Sequence, residues 1–208
     1  MSRESILHRI RTAVGRSAGQ PPDAPPPVRI RVPDVPLPAR IASTITRVEA
    51  LGGKAVHTGD ALAYVAEAIA GKAAVASNAP FLAECGIAGL PGVRSGITDY
   101  EELRALCATA DIGITSADYV LADTGTLVML STQREARLIS LLPPAHLAVV
   151  RRERILTGLD ELMAILPDPA AETSSMVLIT GPSRTADIEQ ILVRGVHGPG
   201  QITVVIAG

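Results

Sequence analysis

The sequence predicts an α/β fold: three layers, with helices on both faces of a mixed, mainly parallel sheet. A separate helix on a proline-rich tether precedes it. Three observations carry this. From residue 39 onward, strand-like apolar pieces alternate with amphipathic helical ones, the pattern of a largely parallel sheet covered on both sides. The pieces 112–115, 119–122 and 126–130 are strand-like, but the connections between them are too short for helices. They predict hairpins, and so a mixed sheet. Hydrophobic residues make up 47% of the 208-residue chain, whereas the aromatics are only Tyr64, Phe81, Tyr100 and Tyr119. The core is therefore built from Ala, Val, Ile and Leu, which suits closely layered helices on a sheet.

Taken in order, residues 2–16 read as a helix, with Ile6, Ile10, Ala13 and Val14 on one face and Ser2 as its cap. Residues 18–38, "AGQPPDAPPPVRIRVPDVPLP", are a linker, because proline removes donors and forces its predecessors into extended conformations. The chain thus divides into a helix and linker over 1–38 and an α/β domain over 39–208. "RIASTITRVEAL" is a helix stopped by Gly52-Gly53, "KAVHT" a strand, and "DALAYVAEAIAG" a helix closed by Gly71. "KAAVAS" is a strand, "FLAECG" a short helix, and 99–109 a helix with Thr98 or Asp99 as cap. After the hairpin pieces, 136–141 and 146–150 read as further strands separated by Pro143-Pro144. A helix near 158–166, the strand "SSMVLIT" and the terminal strand "ITVVIA" complete the domain.

Bulk properties exclude several classes. A net charge of −2 and few aromatics argue against nucleic-acid binding. The apolar runs are strand-sized, which predicts no membrane span, and Arg3, Arg9, Arg11 and Arg16 are followed by no apolar stretch of a secretory leader. The expected location is the cytoplasm. Cys85 and Cys107 lack CxxC spacing and a neighbouring His cluster, so no disulfide framework or metal site is expected. Two cysteines also fall short of the four an iron–sulfur cluster needs.

Two stretches carry candidate chemistry. In "DIGITSADYVLADTGTLVML", Asp118 lies beside a strand end, where a carboxylate can act as general base. Thr124-Gly125-Thr126 sets a glycine between two hydroxyls, a turn able to offer N–H groups to an anion, or simply a hairpin turn. The second stretch is "TGPSRTADIEQILVRGVHGPG". A strand leading into a helical segment would place Ser183 or Thr185 at a helix N-terminus, where free N–H groups attract anions. Arg184 adds a guanidinium suited to carboxylate or phosphate. The alternative is that Ser183 or Thr185 caps the helix while Arg184 pairs with Asp187 or Glu189. His197, among Gly195, Gly198 and Gly200, could serve as acid, base or oxyanion donor, or be structural. No Walker loop, dinucleotide fingerprint or nucleophile elbow is present. The expectation is one crevice at the carboxyl ends of strands, with Asp118 and His197 handling protons. Thr124, Gly125, Thr126, Ser183, Arg184 and Thr185 would hold the ligand there.

"GITSADYVLADTGTLVML", "RLISLLPPAHLAVV" and "GPSRTADIEQILVRGVHGPGQITVVI" together resemble the lactate utilization domain family. The resemblance spans about residues 40–208. It implies a fold similar to the NagB, RpiA and CoA-transferase group, and a role in a system that oxidises L-lactate to pyruvate. The iron–sulfur subunits of that system are separate chains. Oxidising a 2-hydroxy acid removes two electrons, and side chains of this kind supply proton transfer and charge stabilisation rather than electron chemistry. The expectation is a non-redox subunit without a cofactor of its own, binding a small anionic ligand beside iron–sulfur partner subunits. The rival is a free-standing sugar-phosphate isomerase or CoA-transferase-like enzyme, since "GITSAD" resembles a strand-end element whose Asp transfers protons in related isomerases. A third reading is a scaffold in which the proline tether and first helix do the recognition.

Overall fold

The computed structural model describes residues 2–15, 32–132, 134, 136–186 and 192–208. Helix α1 (Arg3–Ala13) is capped as its sequence suggests, the Ser5 N–H donating to Ser2 Oγ at 3.2 Å. No residue of α1 is buried, and Ile6, Ile10 and Val14 of its apolar face are exposed. Most of the linker, residues 16–31, lies outside the described residues.

The alternating region follows. Helix α2 (Leu37–Ala50) ends at Leu51 and Gly52, and strand β1 (Lys54–Thr58) follows. Helix α3 (Ala61–Ala68) starts where Asp60 Oδ1 accepts from the Ala63 N–H at 2.9 Å. Strand β2 (Ala74–Ala76), helix α4 (Pro80–Glu84) and the short strand β3 (Val93–Arg94) come next. Helix α5 (Tyr100–Thr109) is capped by Asp99, which accepts from the Glu102 N–H at 2.8 Å. Strands β4 (Ile112–Ser116), β5 (Tyr119–Leu121) and β6 (Thr126–Leu130) lead to helix α6 (Arg137–Leu141) and strand β7 (Ala145–Arg151). Strand β8 (Ile155–Leu156), helices α7 (Leu159–Ile165) and α8 (Pro169–Glu172) and strand β9 (Met176–Ile179) follow. The chain closes with β10 (Arg184–Ala186), β11 (Leu192–Arg194) and β12 (Gln201–Ala207).

The central sheet has the order β1-β12-β7-β4-β2-β3, and every pairing in it is parallel. Along β7, Leu147 and Val149 face a layer containing Val65 of α3 and Leu82 of α4. Ala148 and Val150 face the opposite layer, with Ile41 and Val48 of α2 and the inner side of a second sheet. That second sheet has the order β8-β5-β6-β9, and α7 closes its outer side through Leu162. The three-layer α/β class therefore holds, and the architecture is consistent with the NagB/RpiA/CoA-transferase type. Two antiparallel pairs, β5 with β6 and β6 with β9, sit in the second sheet, a further one joins β10 to β11, and the central sheet is wholly parallel.

Two local expectations are corrected. Residues 137–141 form α6 rather than a strand. Five apolar-rich residues are too few for periodicity to separate the two. What decides is packing: α6 lies directly on β4 at Gly113, where any Cβ would collide with the Ile139 carbonyl oxygen. Residues 184–186 form strand β10, paired antiparallel with β11, and not the start of a helix. Asp187 and Glu189, proposed partners of Arg184, lie outside the described residues.

Candidate functional site

Charged side chains converge at the carboxyl ends of β2, β4 and β7. The chain leaves β2 toward the sheet edge at β3, but leaves β4 in the opposite direction, toward β7. Adjacent strands whose connections diverge leave a crevice between them, the usual ligand position in open α/β sheets. Here that crevice is a cleft of about 410 Å³. Its walls come from Ala79 and Phe81 after β2, Ser116 at the end of β4, Asp118 just after it, and Arg151 at the end of β7. Arg134 and Arg154 complete a group of three guanidinium-bearing residues.

Local structure holds these groups in place. Asp118 sits between β4 and β5, its N–H donating to the Val128 carbonyl at 3.0 Å. Its Oδ2 accepts from the Leu130 N–H at 2.7 Å, so the carboxylate is pinned across the hairpin to the end of β6. Arg154 donates from Nη1 to the Tyr119 hydroxyl oxygen at 3.1 Å and lies 5.2 Å from that ring's centre. Arg151 stacks on Phe81 at 4.0 Å and pairs with Glu84 of α4. Stacking on a ring orients a guanidinium while leaving its edge available to an anion. Burial pushes the Asp118 carboxyl above the usual carboxylate range, opposed by the Leu130 N–H and by the positive charge of Arg154. A carboxyl raised in this way, next to arginines, suits proton transfer on a bound anion.

The residues singled out in the sequence do not share one crevice. Asp118 lines the cleft at the carboxyl ends. Ser183, Arg184 and His197 line a different cavity, with Leu51, Thr180 and Pro199. That cavity lies at the amino ends, because Pro199 and Gly200 precede β12 and the Gly200 N–H donates to the Pro144 carbonyl before β7 at 3.0 Å. The seven residues of β7 separate the two ends by ~20 Å. The expected single pocket is thus corrected to two separate places.

At the amino end, polar groups are engaged in structure. Arg184 donates to the Leu51 carbonyl at the end of α2. The Ser183 N–H donates to Pro199 O at 2.9 Å, and Ser183 O accepts from the Gly195 N–H at 3.0 Å. Ser183 therefore caps no helix. Thr185 pairs with Val193 in the β10–β11 hairpin. His197 is exposed. The Thr124–Gly125–Thr126 turn lies at the far end of the β5–β6 hairpin from Asp118, since Leu121 pairs with Thr126 whereas Asp118 bonds Leu130. Thr124 Oγ1 and Thr126 Oγ1 are 2.8 Å apart, and Thr126 Oγ1 is 2.8 Å from Thr180 Oγ1. Gly125 has φ +68° and presses on α2, where a Cβ would stand 2.9 Å from Val48 N. This turn is a hairpin end packed on a helix, with hydroxyls bonded to each other.

Sequence reasoning missed Arg134, Arg151 and Arg154. A signal for two of them exists: "VVRRER" sets cationic residues directly after the apolar run of a central strand. Reading that run as part of a hairpin concealed where the strand would end. Among the described residues, no helix is long and apolar enough to cross a membrane, and no three His, Cys, Asp or Glu side chains gather as metal ligands would.

Comparison with known proteins follows the same lines. A lactate utilization protein C of Halalkalibacterium halodurans is 42% identical over 106 residues, which cover 49% of this chain and 46% of that protein. One from Oceanobacillus iheyensis is 32% identical over 110 residues, covering 51% of this chain and 47% of that protein. The matched stretch thus spans about half the length of these curated relatives. The crystal structure of a DUF162 family protein from Deinococcus radiodurans, at 1.70 Å resolution, shares the fold with a TM-score of 0.64. The likeness covers 84% of this chain and 99% of that one at 20% identity. The LUD domain model matches residues 41–207, and the chain belongs to the LUD domain family.

Proposed function

We propose that this protein works in lactate utilization as a non-redox subunit that binds a small carboxylate in the cleft at the carboxyl ends of β2, β4 and β7. Iron–sulfur partner subunits carry the electrons, and the complex is cytoplasmic. The observation that carries the reading is Asp118, a half-buried carboxyl with one oxygen pinned to the Leu130 N–H, set in a cleft with Arg134, Arg151 and Arg154. The arginines hold the ligand's carboxylate, and Asp118 exchanges a proton with its hydroxyl or carbonyl oxygen. The names of the related proteins support lactate utilization as the setting. The two cysteines of the chain support electron transfer by other subunits.

The isomerase alternative needs Asp118 beside a phosphate site made by the Thr124–Thr126 turn, Ser183 and Arg184. Those groups lie away from the cleft, Ser183 and Arg184 in a cavity at the other end of the central sheet, so that version of the site does not assemble. Calorimetry with L-lactate and pyruvate, on the purified chain, tests the binding. Saturable binding weakened by Arg151→Ala is the expected result. Robust L-lactate oxidation by the isolated chain with an artificial acceptor would overturn the non-redox assignment.

A further inference from the structure

Next to the cleft lies a smaller lobe of about 150 Å³. Thr132 and Arg134 line both spaces, so the two adjoin. The backbone between them is tied down, with the Asn78 N–H donating to the Arg134 carbonyl at 2.9 Å. The smaller lobe lies under the start of α5 and beside α6. Its apolar lining is Ala76, Ile97, Leu103, Ala136 and Ile139, with the Tyr100 ring at the edge.

Two polar neighbours of this lobe, Asn78 and Asp99, already have partners. The Asn78 side chain donates to the Ile97 carbonyl at 2.8 Å and accepts from the Gly96 N–H at 2.8 Å. Asp99 Oδ1 accepts from the Glu102 N–H at the start of α5. Asn78 and one oxygen of Asp99 are therefore engaged within the fold, and the aliphatic side chains form one wall of the lobe, with Thr98, Thr132 and Arg134 on the side toward the rim and the cleft. A cavity of roughly 150 Å³ lined by aliphatic and aromatic groups can hold a benzene ring. The cleft's charges and the lobe's apolar lining make a two-part site, one part for an anionic head and the other for an uncharged side group.

We infer that the preferred ligand is a 2-hydroxy or 2-oxo acid with an apolar side group larger than the methyl of lactate, the carboxylate on the arginines and the side group in the lobe between β2, α5 and α6. This rests on the carboxylate-binding reading of the cleft. It goes beyond that reading by assigning a second subsite and a selectivity. Thr98 and Tyr100 stand at the exposed rim of the lobe and control access to it.

Calorimetry with two probes, L-lactate and L-3-phenyllactate, tests the inference on wild type, Thr98→Trp and Arg151→Ala. The phenyl group should improve affinity about tenfold or more over L-lactate, as burying an aromatic ring warrants. Thr98→Trp, which fills the lobe from its rim, should erase that advantage and leave L-lactate binding unchanged. Thr98→Leu, a smaller filler at the same exposed site, serves if the tryptophan variant does not fold and should reduce the advantage. Equal affinity for the two probes in wild type overturns the inference and leaves the carboxylate cleft standing. So does an advantage that survives both fillers. Absence of binding by both probes overturns the cleft and the lobe together.

Discussion

The two ends of the central sheet use similar residues in opposite ways. At the amino end, Arg184 is bonded to the last carbonyl of α2, Ser183 is held through its backbone by Pro199 and Gly195, and His146 is buried against Thr115 Oγ1 at 2.8 Å. At the carboxyl end, Arg151 and Arg154 lean on aromatic rings and Asp118 is anchored by one oxygen, all lining a cleft. Polar groups at one end satisfy the fold, and at the other they face space a ligand can fill. The difference teaches that a guanidinium beside a glycine-rich loop is not by itself a sign of a site. What it bonds to decides.

Acid tests the structural end hardest. Burial lowers the His146 pKa from 6.5 to about 4, and its Nδ1 has no partner among the described residues. The unfolded chain therefore binds a proton that the folded chain refuses. This contribution to stability is complete above pH ~6.5 and falls as pH drops toward 4, by about 3 kcal/mol in all. Urea unfolding across that range should show the decline, and His146→Gln should flatten it. A wild-type profile with no slope there would break the claim that the amino end is structural and dry.

Binding comes next in size. Arg154→Ala removes a charge that the proposed carboxylate ligand would meet and should weaken L-lactate binding by up to about 100-fold. Arg184→Ala in the same titration should change it less than about twofold, since Arg184 lies at the other end of the sheet. Reversed effects would exchange the roles of the two ends. The smallest effects are on melting temperature. Arg184→Ala uncaps α2 and should lower Tm by about 2 °C. Asp118→Asn removes a partly buried charge whose carboxyl burial already raises, so it should raise Tm at pH 7 while lactate-dependent growth is lost. A Tm fall without a growth defect would make Asp118 a structural residue.

Much of the fold was legible because local signals and packing agree. "KAVHT" is β1, Asp60 and Asp99 cap α3 and α5, and Gly52 ends α2 at φ +79°. Where local signals were weak, tertiary contacts decided. "RLISL" is helical because it rests on Gly113, and "RTA" is a strand because β11 pairs with it. Asp118 was legible as a carboxylate at a strand end. Its arginine neighbours were not, because they come from segments that follow β6 and β7, far apart in sequence.

By itself the sequence determined the α/β class, most of the run of helices and strands and the caps of several helices, since these depend on side-chain periodicity and on groups within a few residues of each other. Only the tertiary structure decided that the antiparallel pairs lie outside the central sheet. It also decided that Asp118 and the Ser183–His197 loops lie at opposite ends. Those facts depend on strand order, and strand order is set by which buried faces pack together over long sequence separations.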